Sequence, residues 1–403
     1  MKQRRIIFLL VLLGAMTSLS MDIYLPSMEA IRVSLGTGMG KVQLSLSVFL
    51  LSFGCGQLVY GPLSDRYGRK KPLLWGLVLY GVANLCCALA PNVEILIMGR
   101  FLQGLGACCG TVSGLAIVRD LFKGTAMTRV VAITSAAISL APILAPMLGA
   151  SLDALFGWRS SFVFLAVFAV LLLVLIAAFL PETHEARGGV FPMARDYGRF
   201  LSHRIFRVYT LVHVLAFAAL FAFITGAAPL MIGKLGLSPT HFSLVFGINA
   251  MMFMAGSMIT TGLSKRFDLA AIAGIGSGLM LLGGTGMLLL AGEAGVARIL
   301  APMCLVTLGV ALALPASIGG ALEPFGERAG GASALLGFLK FSGASAVGIL
   351  LSHWATRSAL PMALTITVAA IGCLSALYFG LRTRSIPASQ LGCRNFKHMG
   401  LSS

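Results

Sequence analysis

Twelve apolar runs of about membrane-spanning length fill most of this chain, each bounded by charges or turn residues. They lie near residues 6–28, 42–62, 72–93, 95–118, 130–152 and 160–180, and then 208–233, 240–262, 269–292, 299–322, 329–353 and 358–381. A helix crosses the roughly 30 Å hydrocarbon core of a bilayer in about 20 residues. The pattern therefore predicts an all-α membrane protein with twelve transmembrane helices. Composition agrees: of 403 residues, 58% are hydrophobic and 11% charged, against roughly 25% charged in a soluble domain. A single large water-soluble core is excluded, and so is disorder. Lys2, Arg4 and Arg5 ahead of Ile6–Leu13 imitate a secretory signal. The apolar run continues to Met28, however, and an uncleaved first helix is expected.

Thirty Lys and Arg against 13 Asp and Glu give a net charge of +17. With the N-terminus placed inside, 22 of these 30 basic residues fall on cytoplasmic segments and six on outer loops. Only Arg100 and Lys340 remain within apolar runs. This is the positive-inside bias; it predicts cytoplasmic termini and accounts for the charge without nucleic acid. Seven of the eight cysteines lie in apolar runs, and no His/Cys set has metal-ligand spacing. They read as small buried hydrophobes, with no metal site. Trp75, Trp158 and Trp354 sit near run ends and are expected as interfacial anchors.

The longest polar stretch divides the chain. The expected units are a six-helix bundle over 1–181, a cytoplasmic linker over 182–207, a second six-helix bundle over 208–381 and a cytoplasmic tail over 382–403. Gly61-Pro-Leu-Ser-Asp-Arg-Tyr67 is echoed 200 residues later by Thr261-Gly-Leu-Ser-Lys-Arg-Phe267, each at the end of the second helix of its half. An echo in register with the six-plus-six split suggests two pseudo-symmetric bundles related by an axis along the membrane normal.

The stretch Gly61-Pro-Leu-Ser-Asp-Arg-Tyr-Gly-Arg-Lys-Lys71 resembles the signature of the major facilitator superfamily between helices 2 and 3. Gly61 and Gly68 suit a tight turn, and Asp65 can cap a helix or pair with Arg69. With Arg66 they are expected to gate a conformational change. Pro142 and Pro146, one turn apart in helix 5, remove backbone donors and are expected to form a hinge. Arg100-Phe-Leu-Gln-Gly-Leu-Gly-Ala107 is similar to the motif of proton-coupled antiporters in that superfamily. Gly106, Gly110 and Gly114 form a small-xxx-small track for close helix packing. These glycines follow no strand, so neither a dinucleotide fingerprint nor a phosphate loop is indicated.

An arginine inside a span is costly and functional by default. Asp22 is the only acidic residue well inside an apolar run. At 1.5 Å per residue, Asp22 lies roughly 24 Å and Arg100 roughly 21 Å from the cytoplasmic face. They share the outer third of the bilayer, and Ser18, Asp22 and Pro26 are expected on one face of helix 1. Asp22 is the expected proton-coupling residue, with Arg100 tuning its proton affinity. The surrounding Ser20-Met-Asp-Ile-Tyr-Leu-Pro26 resembles the bicyclomycin/chloramphenicol-resistance (Bcr/CflA) branch of drug:proton antiporters.

That resemblance implies a proton-coupled exporter of small amphiphilic drugs in the inner membrane of a bacterium. It is expected to be monomeric, with no catalytic role and no cofactor besides protons. A carrier of a physiological metabolite, such as a nucleoside or amino-acid derivative, is the alternative. A receptor or channel is more remote, because no pore-lining charge ring is visible. The expected substrate pocket takes Tyr24, Gln103, Phe221, Phe223, Asn249, Phe338, Lys340 and Phe341; Phe217 and Phe253 belong to the same aromatic set. Lys340 stands near mid-membrane where the family more often carries a neutral residue. It can salt-bridge, bind an anionic group or cycle a proton of its own. His213 and His353 are read as interfacial or satisfied polar residues at opposite faces of the membrane.

Overall fold

The computed structural model describes residues 2–183, 193–290, 295–354 and 358–381. The tail over 382–403, Cys393 and the linker stretch 184–192 lie outside them. Among the described residues the secondary structure is helical throughout. The helices are α1 (Lys2–Asp22), α2 (Met28–Ser34), α3 (Met39–Tyr67), α4 (Lys70–Ala88), α5 (Val93–Leu121), α6 (Gly124–Phe156) and α7 (Arg159–Phe179). They continue as α8 (Met193–Ser202), α9 (Arg204–Ala228), α10 (Pro239–Leu263), α11 (Leu269–Leu289), α12 (Val296–Leu322), α13 (Ala329–His353) and α14 (Leu360–Leu381). Twelve segments are long and apolar enough to cross a membrane, α1 and α2 together forming the first. The short α8 belongs to the linker. Helices start where the sequence supplies caps: Asn92 accepts from the Ile95 N–H, Ser238 from His241 and Asp268 from Ala271.

The first span is broken, which the apolar run alone did not reveal. Pro26 has no N–H to offer the Asp22 carbonyl, so α1 ends at Asp22. A 3₁₀ turn over Leu25–Ser27 then leads into α2. As a result Ser18 and Asp22 face the interior cavity while Pro26 is packed away from it. The expected single face through all three is therefore corrected. The seventh span ends similarly, in a π-helical turn over Pro229–Lys234.

Helices α1 to α7 pack chiefly among themselves, as do α9 to α14, and the halves meet mainly along α3/α13 and α6/α10. The outer faces are apolar and bare: Val167 on α7 is 64% exposed and Val368 on α14 is 66% exposed. Surfaces of this kind are stable only against lipid tails. We call the membrane face that carries Lys2 proximal and the opposite face distal. On the distal side the halves are joined. Gln43 Nε2 donates to the Thr225 carbonyl at 3.1 Å, and Ser345 Oγ to the Ser47 carbonyl at 2.7 Å. Ser243 Oγ donates to the Pro146 carbonyl at 3.0 Å. Gly40 lies directly against the Ser352 carbonyl, leaving no space for a Cβ.

Candidate functional site: a cavity between the halves

Between the halves lies a cavity of about 930 Å³. It is lined by the proximal parts of α3, α5, α6 and α13 and by the middle of α9 and α10. Its deep end is Met21, Asp22, Phe223, Ile224 and Phe246; its mouth carries Asp65, Arg69, Arg119 and Asp120. A pocket of this size, mostly apolar with a few convergent polar groups, suits a drug-sized ligand.

Asp22 closes α1 with its side chain on the cavity wall, 4% exposed. Among the described residues its carboxylate has no hydrogen bond and no ion pair. Arg100 is fully buried one helix away. It donates from Nη1 to the Ser20 carbonyl at 2.9 Å and to Gln103 Oε1 at 2.5 Å. The rings of Tyr24 and Phe49 lie 4.5 and 4.3 Å from its guanidinium carbon. Gln103 Nε2 in turn donates to Asn84 Oδ1 at 2.6 Å, and Asn84 to the Tyr80 carbonyl at 2.7 Å. The Tyr80 and Ser20 hydroxyls are 2.6 Å apart. Arg100 is thus pinned to the backbone two residues before Asp22, but it makes no ion pair with Asp22. Its Nε and Nη2 have no acceptor.

The other expected pocket residues divide. Phe223, Asn249, Lys340 and Phe341 line the cavity, with Phe217 and Phe253. Tyr24 and Gln103 are fully buried around Arg100, where they orient it and do not reach the cavity surface. Phe221 is buried behind the wall, and Phe338 is not on the cavity lining. Asn249 Oδ1 accepts from Thr307 at 2.8 Å. His213 Nδ1 and Ser317 Oγ are 2.9 Å apart. Gln57, Thr307 and His213 also line the cavity. A polar residue inside an apolar run is the signal that marks them.

The mouth is organised by Arg69. Its guanidinium donates to Asp65 Oδ1 at 2.6 Å, Asp120 Oδ2 at 2.9 Å and Ser64 Oγ at 3.1 Å. The backbone N–H groups of Arg69 and Lys70 donate to Glu182, at 2.7 and 3.2 Å. Burial alone would lower the Arg69 pKa, but the bonds to Asp120 and Asp65 outweigh it and raise it above its ordinary value. The expected Asp65–Arg69 pair is present; Asp120 and Glu182 complete it from the ends of α5 and α7. Apart from Glu182, the first residue of the linker, these groups belong to the first half. The network ties that half together and anchors the start of the linker to it. Only Gly68 makes the turn, at φ 84°. Gly61 lies inside α3, contrary to the expected pair of turn glycines, because the helix continues to Tyr67. Arg66 lies over the ring of Tyr67 at 5.3 Å. Pro142 lines the cavity, and Pro146 contributes its carbonyl to the α6/α10 contact. Both sit within one continuous helix.

Two further expectations change. Trp158 is 4% exposed and packs edge-to-face on Phe162, so it is an interior residue and not an interfacial anchor. Trp75 and Trp354 are exposed. Four of the seven described cysteines are fully buried, Cys55 and Cys304 are half-buried and Cys86 is exposed.

Twelve spans in two packed halves around a shared cavity define a membrane transporter architecture. Residues 10–348 match the Major Facilitator Superfamily, and the chain belongs to that family. It is 34% identical over 384 residues to an uncharacterized MFS-type transporter, YdgK, of Bacillus subtilis (strain 168), covering 93% of this chain and 94% of that protein. It is 33% identical to a chloramphenicol resistance protein of Pseudomonas aeruginosa, covering 79% of this chain and 77% of that one. Multidrug resistance protein D of Escherichia coli (strain K12) is 29% identical over 87% of this chain and 90% of its own. Among solved structures, a D-xylose-proton symporter has a TM-score of 0.75 at 16% identity, covering 94% of this chain and 97% of that one. That likeness concerns the fold.

Proposed function

We propose that the chain exports small amphiphilic, drug-like molecules in exchange for protons, by alternating access. It sits as a monomer in a bacterial inner membrane, with both termini cytoplasmic. No catalytic step is assigned, and protons are the only coupling species. The proximal face carries the bulk of the basic loops, which the positive-inside bias places in the cytoplasm. In this reading the cavity is open to the cytoplasm and sealed outside by the Gln43, Ser243 and Ser345 contacts.

The observation that carries the reading is Asp22. Of the three carboxylates on the cavity, Asp65 and Asp120 both bind Arg69, and Asp22 alone has no partner among the described residues. A carboxylate at the deep end of a cavity can exchange a proton for a ligand. Arg100, on the neighbouring helix with Nε and Nη2 unmatched, can accept that carboxylate when α1 and α5 shift against each other during transport. Protonation state and conformation are then coupled. The membrane potential supplies about 2.3 kcal/mol per charge per 100 mV. The resistance proteins among the relatives support drugs as the cargo.

Asp22→Asn is expected to abolish drug-driven proton flux in proteoliposomes, while the variant inserts and purifies like the parent. Full exchange activity in that variant would remove Asp22 from the mechanism. Expression in an efflux-deficient host should raise resistance to phenicols or related amphiphiles. Unchanged susceptibility across phenicols, bicyclomycin and cationic dyes would instead favour a metabolite carrier.

A further inference from the structure

Among the described residues, the second half contributes one charge to the cavity lining, Lys340 on α13. Its Nζ lies 4.1 Å from the ring centre of Phe341 and 4.8 Å from that of Phe217. Among the described residues it makes no hydrogen bond, and no carboxylate lies within ion-pair distance. The two phenyl faces attract the half-buried ammonium but supply no counter-charge. None of the side-chain acceptors on the cavity wall, Asp22 and Gln57 included, is hydrogen-bonded to it among the described residues. Asp65 and Asp120 are held by Arg69 at the mouth, and Asn249 Oδ1 is taken by Thr307. His213 is the neighbour from α9. Because Ser317 Oγ donates to the Leu314 carbonyl, its oxygen accepts from His213 Nδ1–H, leaving Nε2 as a neutral acceptor. Lys340 thus faces an apolar, aromatic cavity with its donors uncommitted.

We propose that Lys340 seats an acidic oxygen group of the transported molecule, so that the preferred substrates are amphiphiles bearing a carboxylate or comparable oxyanion. This rests on the reading of the cavity as the substrate site and sharpens its substrate class. Phe217 and Phe341 flank the ammonium and hold the ligand's apolar body beside its acidic group. Asp22, on the opposite half, offers the complementary contact to an amine, so a zwitterion satisfies both charges and bridges the two halves. A permanently cationic lipophile gains Asp22 but meets the repulsion of Lys340.

Two matched pairs test this by equilibrium binding to the purified full-length protein: norfloxacin with its methyl ester, and chloramphenicol succinate with its methyl ester. A charge-assisted hydrogen bond corresponds to about a tenfold or greater preference for the free acid in each pair. Lys340→Gln should erase the preference and Lys340→Arg should keep it. Equal binding of acid and ester by the parent protein, binding of neither, or a preference that survives Lys340→Gln overturns the proposal. The parent's own ratio decides even if a variant misfolds. Binding needs no proton gradient, so loss of proton exchange with an intact acid preference would strike the coupling mechanism and leave this site standing.

Discussion

Arg100 and Asp22 occupy neighbouring positions without pairing. Both were legible from sequence because a charge in an apolar run stands out, and counting residues put them at one depth. Depth says nothing about azimuth, however, and the arginine turns toward Ser20, Gln103, Tyr24 and Phe49. The same limit misplaced Tyr24 and Gln103: their motif spacing was visible, but which side of the helix meets the cavity was not. A buried charge with unmatched donors is poor value for stability. Arg100→Met removes those unmatched donors but also the donor to the Ser20 carbonyl and Gln103 Oε1. The melting temperature in detergent is therefore expected to move by no more than the equivalent of about 1–3 kcal/mol. The substitution should nevertheless abolish drug-driven proton exchange. A large loss of thermal stability would show instead that Arg100 mainly holds the bundle together.

At the level of helices, hydropathy located the spans to within a few residues, since burial in lipid requires an uninterrupted apolar length. It missed the break after Asp22, a backbone event caused by one proline. The small-residue spacing on α5 is met by close helix packing at two of its three glycines. Gly106 backs onto Tyr80 of α4 and Gly110 onto Leu13 and Met16 of α1, while Gly114 has open space. The track therefore serves two neighbours and the cavity, because α5 is surrounded by helices. A Cβ at Gly106 would stand 2.6 Å from the Tyr80 backbone nitrogen, and backbone does not yield as a side chain does. Gly106→Val is expected to cost about 1–3 kcal/mol, read as a lower melting temperature and less folded protein by size-exclusion chromatography. Gly114→Val should be far milder.

For the whole molecule, the decisive property is which end of the cavity is open. The distal contacts between halves and the proximal mouth make a testable asymmetry. A cysteine introduced at Asn249 should react with a membrane-impermeant maleimide supplied from the proximal side and resist it from the distal side, relative to the parent protein. Equal labelling from both sides would mean that the distal contacts do not seal the cavity.

The amino-acid sequence alone determined a twelve-span helical membrane protein, its family and its exceptional charges. Those follow from local properties: hydrophobic length, charge position and contiguous motifs. Tertiary structure decided which of the charges meet. Lys340 and Asp22 share one cavity although 318 positions separate them, and Arg100, similar in depth, is withheld from it. The orientation of a helix about its own axis depends on packing against partners distant in sequence, which no local pattern encodes.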